Sequence, residues 1–143
     1  MGENLAFEIS EAFEIKEQDI RSYSPLTLAY IGDAIFDVVI RTIIVEQGNC
    51  QVNKLHKKAS SLVNAVSQSA MAEALSDYMT ETELDVYRRG KSSKPHNKAK
   101  NATTGDYLRA TGFEAVLGYL YLTGDSKRIL DIVKEGLKRC QRI

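Results

Sequence analysis

Apolar residues along the chain recur at intervals of three and four, and strict alternation of apolar and polar residues is rare. This periodicity is typical of α-helices that bury one face. Glycine, proline and capping residues divide the sequence into six or seven such segments, which predicts an all-α protein. The predicted helices cover residues 11–21 or slightly earlier, 25–47, 52–62, 67–79, 81–90, 104–122 and 126–139, and residues 91–103 are predicted to form a loop.

Two of the helix starts are marked by specific residues. Ser24 precedes Pro25, which combines an N-cap side chain with a proline in the first helical turn. Thr80 and Glu83 have the spacing of a capping box, in which each side chain accepts a hydrogen bond from the backbone of the other residue. These signals define where the helices at 25–47 and 81–90 begin.

Composition narrows the class of protein. With 143 residues, 43% of them hydrophobic and 27% charged, we expect one globular domain over residues 1–143. Lysine plus arginine and aspartate plus glutamate each total 19, and the resulting neutral charge argues against a uniformly basic nucleic-acid-binding domain. The sequence predicts neither a signal sequence nor a membrane-spanning segment, and Cys50 and Cys140 lack disulfide-scaffold or zinc-site spacing. We therefore expect a cytoplasmic protein.

One acidic residue lies inside the most apolar predicted helix, at residues 25–47. Asp33 has no lysine or arginine three or four positions away, so no neighbour on its own helix can pair with it. Because the helix is apolar on nearly every face, we expect it to be buried, and an unpaired buried carboxylate costs several kcal/mol. Asp37 differs, since Arg41 follows four residues later and can form an ion pair with it.

The predicted helix at 104–122 repeats this anomaly. Glu114 is the only charge in its apolar stretch and also lacks a cation at helical spacing, while Gly112 and Gly118 would let another helix approach closely. The simplest explanation is that Asp33 and Glu114 face each other and share a divalent cation, for which oxygen ligands suit Mg²⁺ or Mn²⁺. The alternatives are that each acid reaches a distant Lys or Arg, or lies at a helix edge in water.

The most basic segment is RRGKSSKPHNKAK, at residues 88–100, which contains no acid. Its cations and hydroxyl groups suit phosphate, and its lack of aromatic residues favours a duplex over single-stranded bases. The alternative is a solvated loop without a ligand. A second basic cluster lies in the helix at 52–62. The predicted phosphate-binding residues are Arg88, Arg89, Lys91, Lys94, His96, Lys98, Lys100 and Lys57.

Two carboxylates with a divalent cation, beside basic side chains, indicate phosphodiester hydrolysis. A bound cation can position a water molecule and stabilise negative charge on phosphate, while the basic residues hold a polyanion. The sequence contains no GxGxxG, P-loop, GxSxG or HExxH motif that would indicate another chemistry. The residues alone therefore predict a metal-dependent phosphoesterase of unspecified substrate.

Several segments resemble the ribonuclease III family. LAYIGDAIFDVVIR, at residues 28–41, resembles the signature helix of that family, and ATGFEAVLGYLYL, at residues 110–122, resembles its second acidic helix. LHKKASSLVNAVSQSAMAEAL and YRRGK are similar to the family as well. The resemblance covers about residues 24–122 and is greatest to the small bacterial Mini-ribonuclease III group, which has the endonuclease domain without a double-stranded-RNA-binding domain.

This resemblance implies an all-helical homodimer that cleaves double-stranded RNA with Mg²⁺, and the Mini group implies the 23S ribosomal RNA precursor as substrate. Asp33 and Glu114 match the catalytic and metal-binding acids of the family, and Asp37 matches a usually acidic position that could support them. Two other family acids are replaced, by Ala29 and Thr111. We therefore expect the metal to bind more weakly and through more water molecules.

The same replacements leave a second interpretation open, in which the chain is a non-catalytic RNA-binding or ribosome-assembly module on the same fold. A requirement for a ribosomal protein as partner is left open too. Apolar residues around Tyr30 and the first helix are candidates for the dimer surface.

Overall fold

The computed structural model describes residues 4–93 and 103–141. These residues form an all-α fold without a β-strand, which confirms the predicted fold class. None of the helices in this described part of the chain is long and apolar enough to cross a membrane. The α-helices are α1 (Leu5–Ala12), α2 (Pro25–Glu46), α3 (Val52–Ser60), α4 (Ala65–Ala74), α5 (Glu81–Lys91), α6 (Thr104–Leu122) and α7 (Ser126–Arg139), and a 3₁₀ helix covers Ile20–Ser22.

The predicted capping residues begin their helices as expected. The Ser24 hydroxyl accepts a hydrogen bond from the backbone three residues later, at the start of α2. Thr80 and Glu83 form both hydrogen bonds of a capping box at the start of α5. Thr103 and Asp125 cap α6 and α7, and both helices have the boundaries that the sequence predicts.

Helix α6 lies at the centre of the fold. It packs chiefly against α2, α4 and α5, and α1 and α7 add smaller contacts. Phe113 of α6 meets Phe36 of α2 edge to face, with 5.5 Å between the ring centroids, and both rings are fully buried. The apolar side chains around α6 form one continuous core, and most residues of the helix between 110 and 120 are buried in it.

The N-terminal region differs from the prediction. Helix α1 ends at Ala12, and Glu14 has a left-handed φ of 53°, so residues 13–19 do not continue the helix. Every residue from 11 to 19 is exposed, and a short helix that buries no face lacks the packing that stabilises it in water. Helix α4 ends at Ala74, before the predicted end at residue 79. Turns follow it, and they bury the side chains of Leu75 and Met79 in the core.

A buried ion pair joins the start of α5 to α7. Arg128 donates two hydrogen bonds to the Glu83 carboxylate, at 2.8 and 2.9 Å, and one to the Tyr78 carbonyl at 3.1 Å. Glu83 also accepts the Thr80 backbone N–H at 2.9 Å. Burial acts to raise the pKa of Glu83, but the hydrogen bonds from Arg128 and Thr80 outweigh it and hold that pKa below its ordinary value.

Candidate active site

Helices α2 and α6 touch through their backbones. A Cβ atom built on Gly32 would lie 1.7 Å from the Glu114 carbonyl oxygen, and one built on Gly118 would lie 1.9 Å from the Leu28 carbonyl oxygen. Only glycine permits this approach, which confirms the close contact predicted at Gly118. Since Asp33 follows Gly32 in the chain, the crossing brings Asp33 next to Glu114.

The carboxyl groups of Asp33 and Glu114 are neighbours at this crossing, close enough for Asp33 to raise the pKa of Glu114. Burial and the adjacent Asp33 carboxyl together raise the pKa of Glu114 from its ordinary 4.5 to about 8, and the hydrogen bond from Gln68 opposes this rise. None of the described cations forms an ion pair with either acid. The prediction that the two acids face each other is therefore correct, and the pair lacks positive charge.

Asp33 is exposed, so the prediction that α2 is buried on every face is wrong. Helix α2 packs against α3, α5 and α6 on one side, while its other side leaves Tyr30 at 82% and Val38 at 60% exposure. The apolar residues of α2 therefore cover two different surfaces, only one of which is the core. For Asp33, the alternative of an acid at a helix edge in water describes the structure better, whereas Glu114 is largely enclosed.

The sequence interpretation missed one residue of this site. Gln68 of α4 is only 3% exposed, and its amide Nε2 donates a hydrogen bond to Glu114 Oε2 at 3.0 Å. Residues 67–69 read SQS, a polar run that on sequence alone resembles a solvent-facing turn of helix. The contact depends on how α4 packs against α6, and no local pattern predicts it.

An open groove of about 460 Å³ lies between α2 and α3 and has Asp33 in its wall. Asp37 and Arg41 form the predicted ion pair there, with Nε 3.0 Å from Oδ1. The groove thus combines acidic, basic and hydroxyl groups beside Asp33, which suits a polar ligand that carries phosphate. Its lining residues are Asp33, Ala34, Asp37, Arg41, His56, Ala59, Ser60 and Val63.

Comparison with known proteins decides the family. Residues 26–125 match the family model of the ribonuclease III domain, which is more than half of the chain. The chain belongs to the ribonuclease III family. The matched region includes the α2–α6 crossing and both acids, so the site described above lies within the ribonuclease III domain.

Relatives within the ribonuclease III family are close in length and sequence. A Mini-ribonuclease 3 of Clostridium tetani is 44% identical over 85% of this chain and 81% of its own length. A Mini-ribonuclease 3 of Symbiobacterium thermophilum is 43% identical over 82% of this chain and 91% of its own length. A crystal structure of a Fusobacterium nucleatum protein matches with a TM-score of 0.77 and 31% identity, over 85% and 98% of the two chains. The predicted family, fold and endoribonuclease activity are confirmed.

The residues of this ribonuclease III site suit a cation held by two carboxylates and water. At the positions of the two missing family acids, Ala29 is buried and apolar, and the Thr111 hydroxyl donates to the Tyr107 carbonyl at 2.9 Å. Within residues 4–93 and 103–141, no three His, Cys, Asp or Glu side chains form a metal-binding group. A divalent cation could replace the proton that the raised pKa of Glu114 holds, and water would complete its coordination.

The predicted phosphate-binding residues of the ribonuclease III domain lie on two helices and beyond the described residues. Arg88, Arg89 and Lys91 are exposed at the C-terminal end of α5, and Lys57 is exposed on α3. Lys91 Nζ lies 5.6 Å from the centre of the Tyr87 ring, which packs against α6. The other predicted residues lie outside the described part of the chain: Lys94, His96, Lys98 and Lys100.

Proposed function

We propose that the chain is a Mg²⁺-dependent endonuclease of double-stranded RNA that matures the 23S ribosomal RNA precursor. The observation that carries this proposal is the adjacent pair of Asp33 and Glu114, one acid open to a polar groove and the other largely enclosed. The names of the two relatives support RNA cleavage, and residues 1–143 would act as one catalytic domain. Cys50 and Cys140 are free thiols, which supports action in the reducing cytoplasm.

In this proposal, the side-chain carboxylates of Asp33 and Glu114 would together hold one Mg²⁺ ion, or Mn²⁺ in its place. When bound, the cation supplies a water molecule of lowered pKa and a positive charge for the phosphate. Asp33 is the more accessible acid, so it would hold the ion on the side open to the groove, and Glu114 would hold it from the interior. Asp37 lines the same groove and would position Arg41 through their ion pair, without itself binding the metal.

The basic side chains would bind the RNA backbone. Arg88, Arg89 and Lys91 on α5, with Lys57 on α3, are exposed and free to contact phosphates, and the remaining basic residues of 94–100 would extend this surface. Contacts of this kind read the shape of a duplex and not its sequence. Reversing the charges of Arg88 and Arg89 together should weaken RNA binding and lower its salt slope by roughly 0.9 for each lost phosphate contact, and an unchanged slope would remove these residues from the interface.

We also propose that two copies of the chain act together. The side of α2 opposite the core exposes an apolar surface that includes Tyr30, Val38 and Val45. Phe7 of α1 and Phe13, which follows that helix, are exposed too. An apolar surface of this kind suits a second copy of the chain as its cover. A symmetric dimer would place one site on each strand of a duplex. Cleavage of RNA without any ribosomal protein would show that no such partner is required.

The test is a cleavage assay with purified protein on matched single- and double-stranded RNA, with and without Mg²⁺. We expect cleavage of the duplex alone, only with the metal, and its loss in Asp33→Asn with fold and dimer intact. Undiminished cleavage by that variant would remove Asp33 from the reaction. Binding of the duplex without cleavage, at any metal concentration and with or without ribosomal protein, would favour the non-catalytic RNA-binding module that the replaced acids suggest.

A further inference from the structure

Helix α4 carries three consecutive polar residues that are all buried. Ser67, Gln68 and Ser69 are 8%, 3% and 1% exposed. Consecutive residues of a helix point in directions about 100° apart, so polar groups at all three positions need partners on different neighbouring segments. Buried polar groups are costly without such partners, and the partners therefore show what this turn of helix does.

The two serines hold α4 in place on either side of Gln68. Ser67 Oγ donates to the Ser61 carbonyl at 3.1 Å, and Ser69 Oγ accepts Arg109 Nε at 2.7 Å. Asn64 caps the helix by accepting the Ser67 backbone N–H at 2.8 Å. Gln68 alone reaches the candidate active site, and it does so from a turn of helix whose neighbours are fixed by hydrogen bonds.

We propose that Gln68 is a positioning residue for Glu114, and this rests on the proposed role of Glu114 as a metal ligand. Its amide donates a hydrogen bond to Oε2 of the carboxylate at 3.0 Å and fixes the orientation of the group, so that the remaining lone pairs would be available to a cation shared with Asp33. With Ala29 and Thr111 in place of two acids, few carboxylates are available, and the orientation of each one matters more.

The chemistry of an amide suits this task better than that of other side chains. A lysine or arginine at position 68 would neutralise Glu114 and compete with the cation, and a leucine would leave Oε2 buried without a donor. A third carboxylate would add repulsion to a pair that already lacks positive charge. A neutral donor orients the carboxylate and leaves its negative charge for the metal.

The experiment compares Gln68→Met with Ser69→Ala. Methionine has a similar length and volume but no donor, so it removes the hydrogen bond to Glu114 with little change in packing. Ser69→Ala is the matched control, because it removes a hydrogen bond from the adjacent and equally buried position on the same helix without touching Glu114. Binding of Mg²⁺ by calorimetry, and of Mn²⁺ by electron paramagnetic resonance, is measured on the protein without RNA.

We expect Gln68→Met to bind both metals about 10- to 100-fold more weakly than the native protein, while Ser69→Ala keeps the native affinity. Thermal unfolding of both variants without metal separates a loss of stability from a loss of positioning. The proposal is overturned if Gln68→Met binds metal as tightly as the native protein. It is overturned too if both variants lose affinity equally, because the effect would then be a general loosening of α4.

A measurement on the native protein keeps the test decisive if Gln68→Met does not fold. The side-chain amide resonance of Gln68 should broaden strongly at low Mn²⁺ concentration, since the amide contacts a ligand of the ion. An amide signal that Mn²⁺ leaves unchanged, while the ion binds, would exclude Gln68 from the site. If the native protein binds neither metal, the proposed function itself has failed, and that outcome is distinct from normal metal binding with an unaffected Gln68.

Discussion

Two buried glutamates of this fold have opposite environments. Glu83 at the start of α5 accepts hydrogen bonds from Arg128 and from the Thr80 backbone, and its pKa is lowered. Glu114 in the middle of α6 meets another carboxyl, Asp33, and one neutral amide, and its pKa is raised to about 8. Glu83 is thus neutralised by an arginine, whereas Glu114 has no cationic partner among the described residues.

The difference separates an acid that the fold itself neutralises from one that our proposal makes a metal ligand. Taking a carboxylate out of water costs several kcal/mol, and an arginine with good geometry offsets that cost within the chain itself. At Glu114 no arginine provides that offset, and the raised pKa favours the protonated form instead. A carboxyl group with a pKa shifted in this way is a candidate for a functional role.

The largest expected effect is on RNA cleavage, when glutamine replaces Glu114 and, as a comparison, Glu83. Glu114→Gln should lower duplex RNA cleavage by at least about a thousandfold, because loss of metal-assisted charge stabilisation is worth about 4 kcal/mol or more. Glu83→Gln should retain cleavage per folded molecule, since Glu83 lies at the α5–α7 contact away from the pair. Single-turnover rates at saturating Mg²⁺ measure both, and equal losses would erase the distinction between the two acids.

The next largest effect concerns stability. Arg128→Met should destabilise the fold by about 3 kcal/mol or more, because it leaves Glu83 buried without its cation and removes the guanidinium 4.6 Å from the Tyr78 ring centre. For a chain of this size that corresponds to roughly 10 °C in melting temperature. Calorimetry at neutral pH measures the change, with Lys127→Met as a control on the same turn, where the ion pair is exposed. A loss no greater than that of the control would contradict the structural role of the pair.

A third prediction uses pH. The pKa of Glu114 is raised above its ordinary 4.5 to about 8, so its contribution to the stability of the metal-free protein is complete below pH 4.5 and is lost as the pH rises through 8. Mg²⁺ competes with the same proton, so its apparent affinity should rise by up to about tenfold per pH unit until pH 8 and then level off. Calorimetric titrations at pH 6, 7, 8 and 9 measure this rise.

The control for the pH prediction is Glu114→Gln, which has no proton to lose at this position. Thermal unfolding of that variant without metal should depend less on pH than that of the native protein between pH 5 and 9. A native Mg²⁺ affinity that is constant from pH 6 to pH 8 would show that Glu114 is not protonated in the metal-free protein.

The smallest expected effect is at Asp37, which has an arginine partner as Glu83 has, but in an exposed position. Asp37→Asn breaks a surface ion pair at 3.0 Å and should cost less than about 1 kcal/mol of stability. Because Asp37 lines the groove without binding the metal in our proposal, Mg²⁺ affinity should stay near the native value. A loss of metal binding as large as that of Asp33→Asn would make Asp37 a ligand.

Much of the fold could be predicted from local signals. The boundaries of α6 and α7 and the starts of α2 and α5 follow from caps and helical periodicity, and these act within a few residues. The helix predicted at residues 11–21 was wrong because a short helix needs tertiary packing to persist, and local signals do not show such packing. Every residue from 11 to 19 is exposed. The prediction that α2 is buried was wrong because an exposed apolar surface and an apolar core look alike in sequence.

The site was predictable as far as it depended on anomalies within a helix. Asp33 and Glu114 stood out because neither has a cation within a turn, and the structure brings them together. Gln68 could not be found in this way, since its partner lies 46 residues away in sequence and is reached only through tertiary packing. A run of serine and glutamine in a helix usually indicates a solvent-exposed turn, but here all three residues are buried.

The glycine contact between α2 and α6 also limits how this protein can be engineered. Replacing helical glycines by alanine is a routine way to gain thermostability, since it reduces the freedom of the unfolded chain. At Gly32 and Gly118 that route is closed, because the added methyl group would overlap a carbonyl of the opposite helix. The spacing of the two acids is therefore set by main-chain atoms, which side-chain repacking cannot adjust. Efforts to stabilise this protein against heat should begin with the exposed positions at 16–19, which lie outside both helices and outside the apolar surface proposed for the dimer.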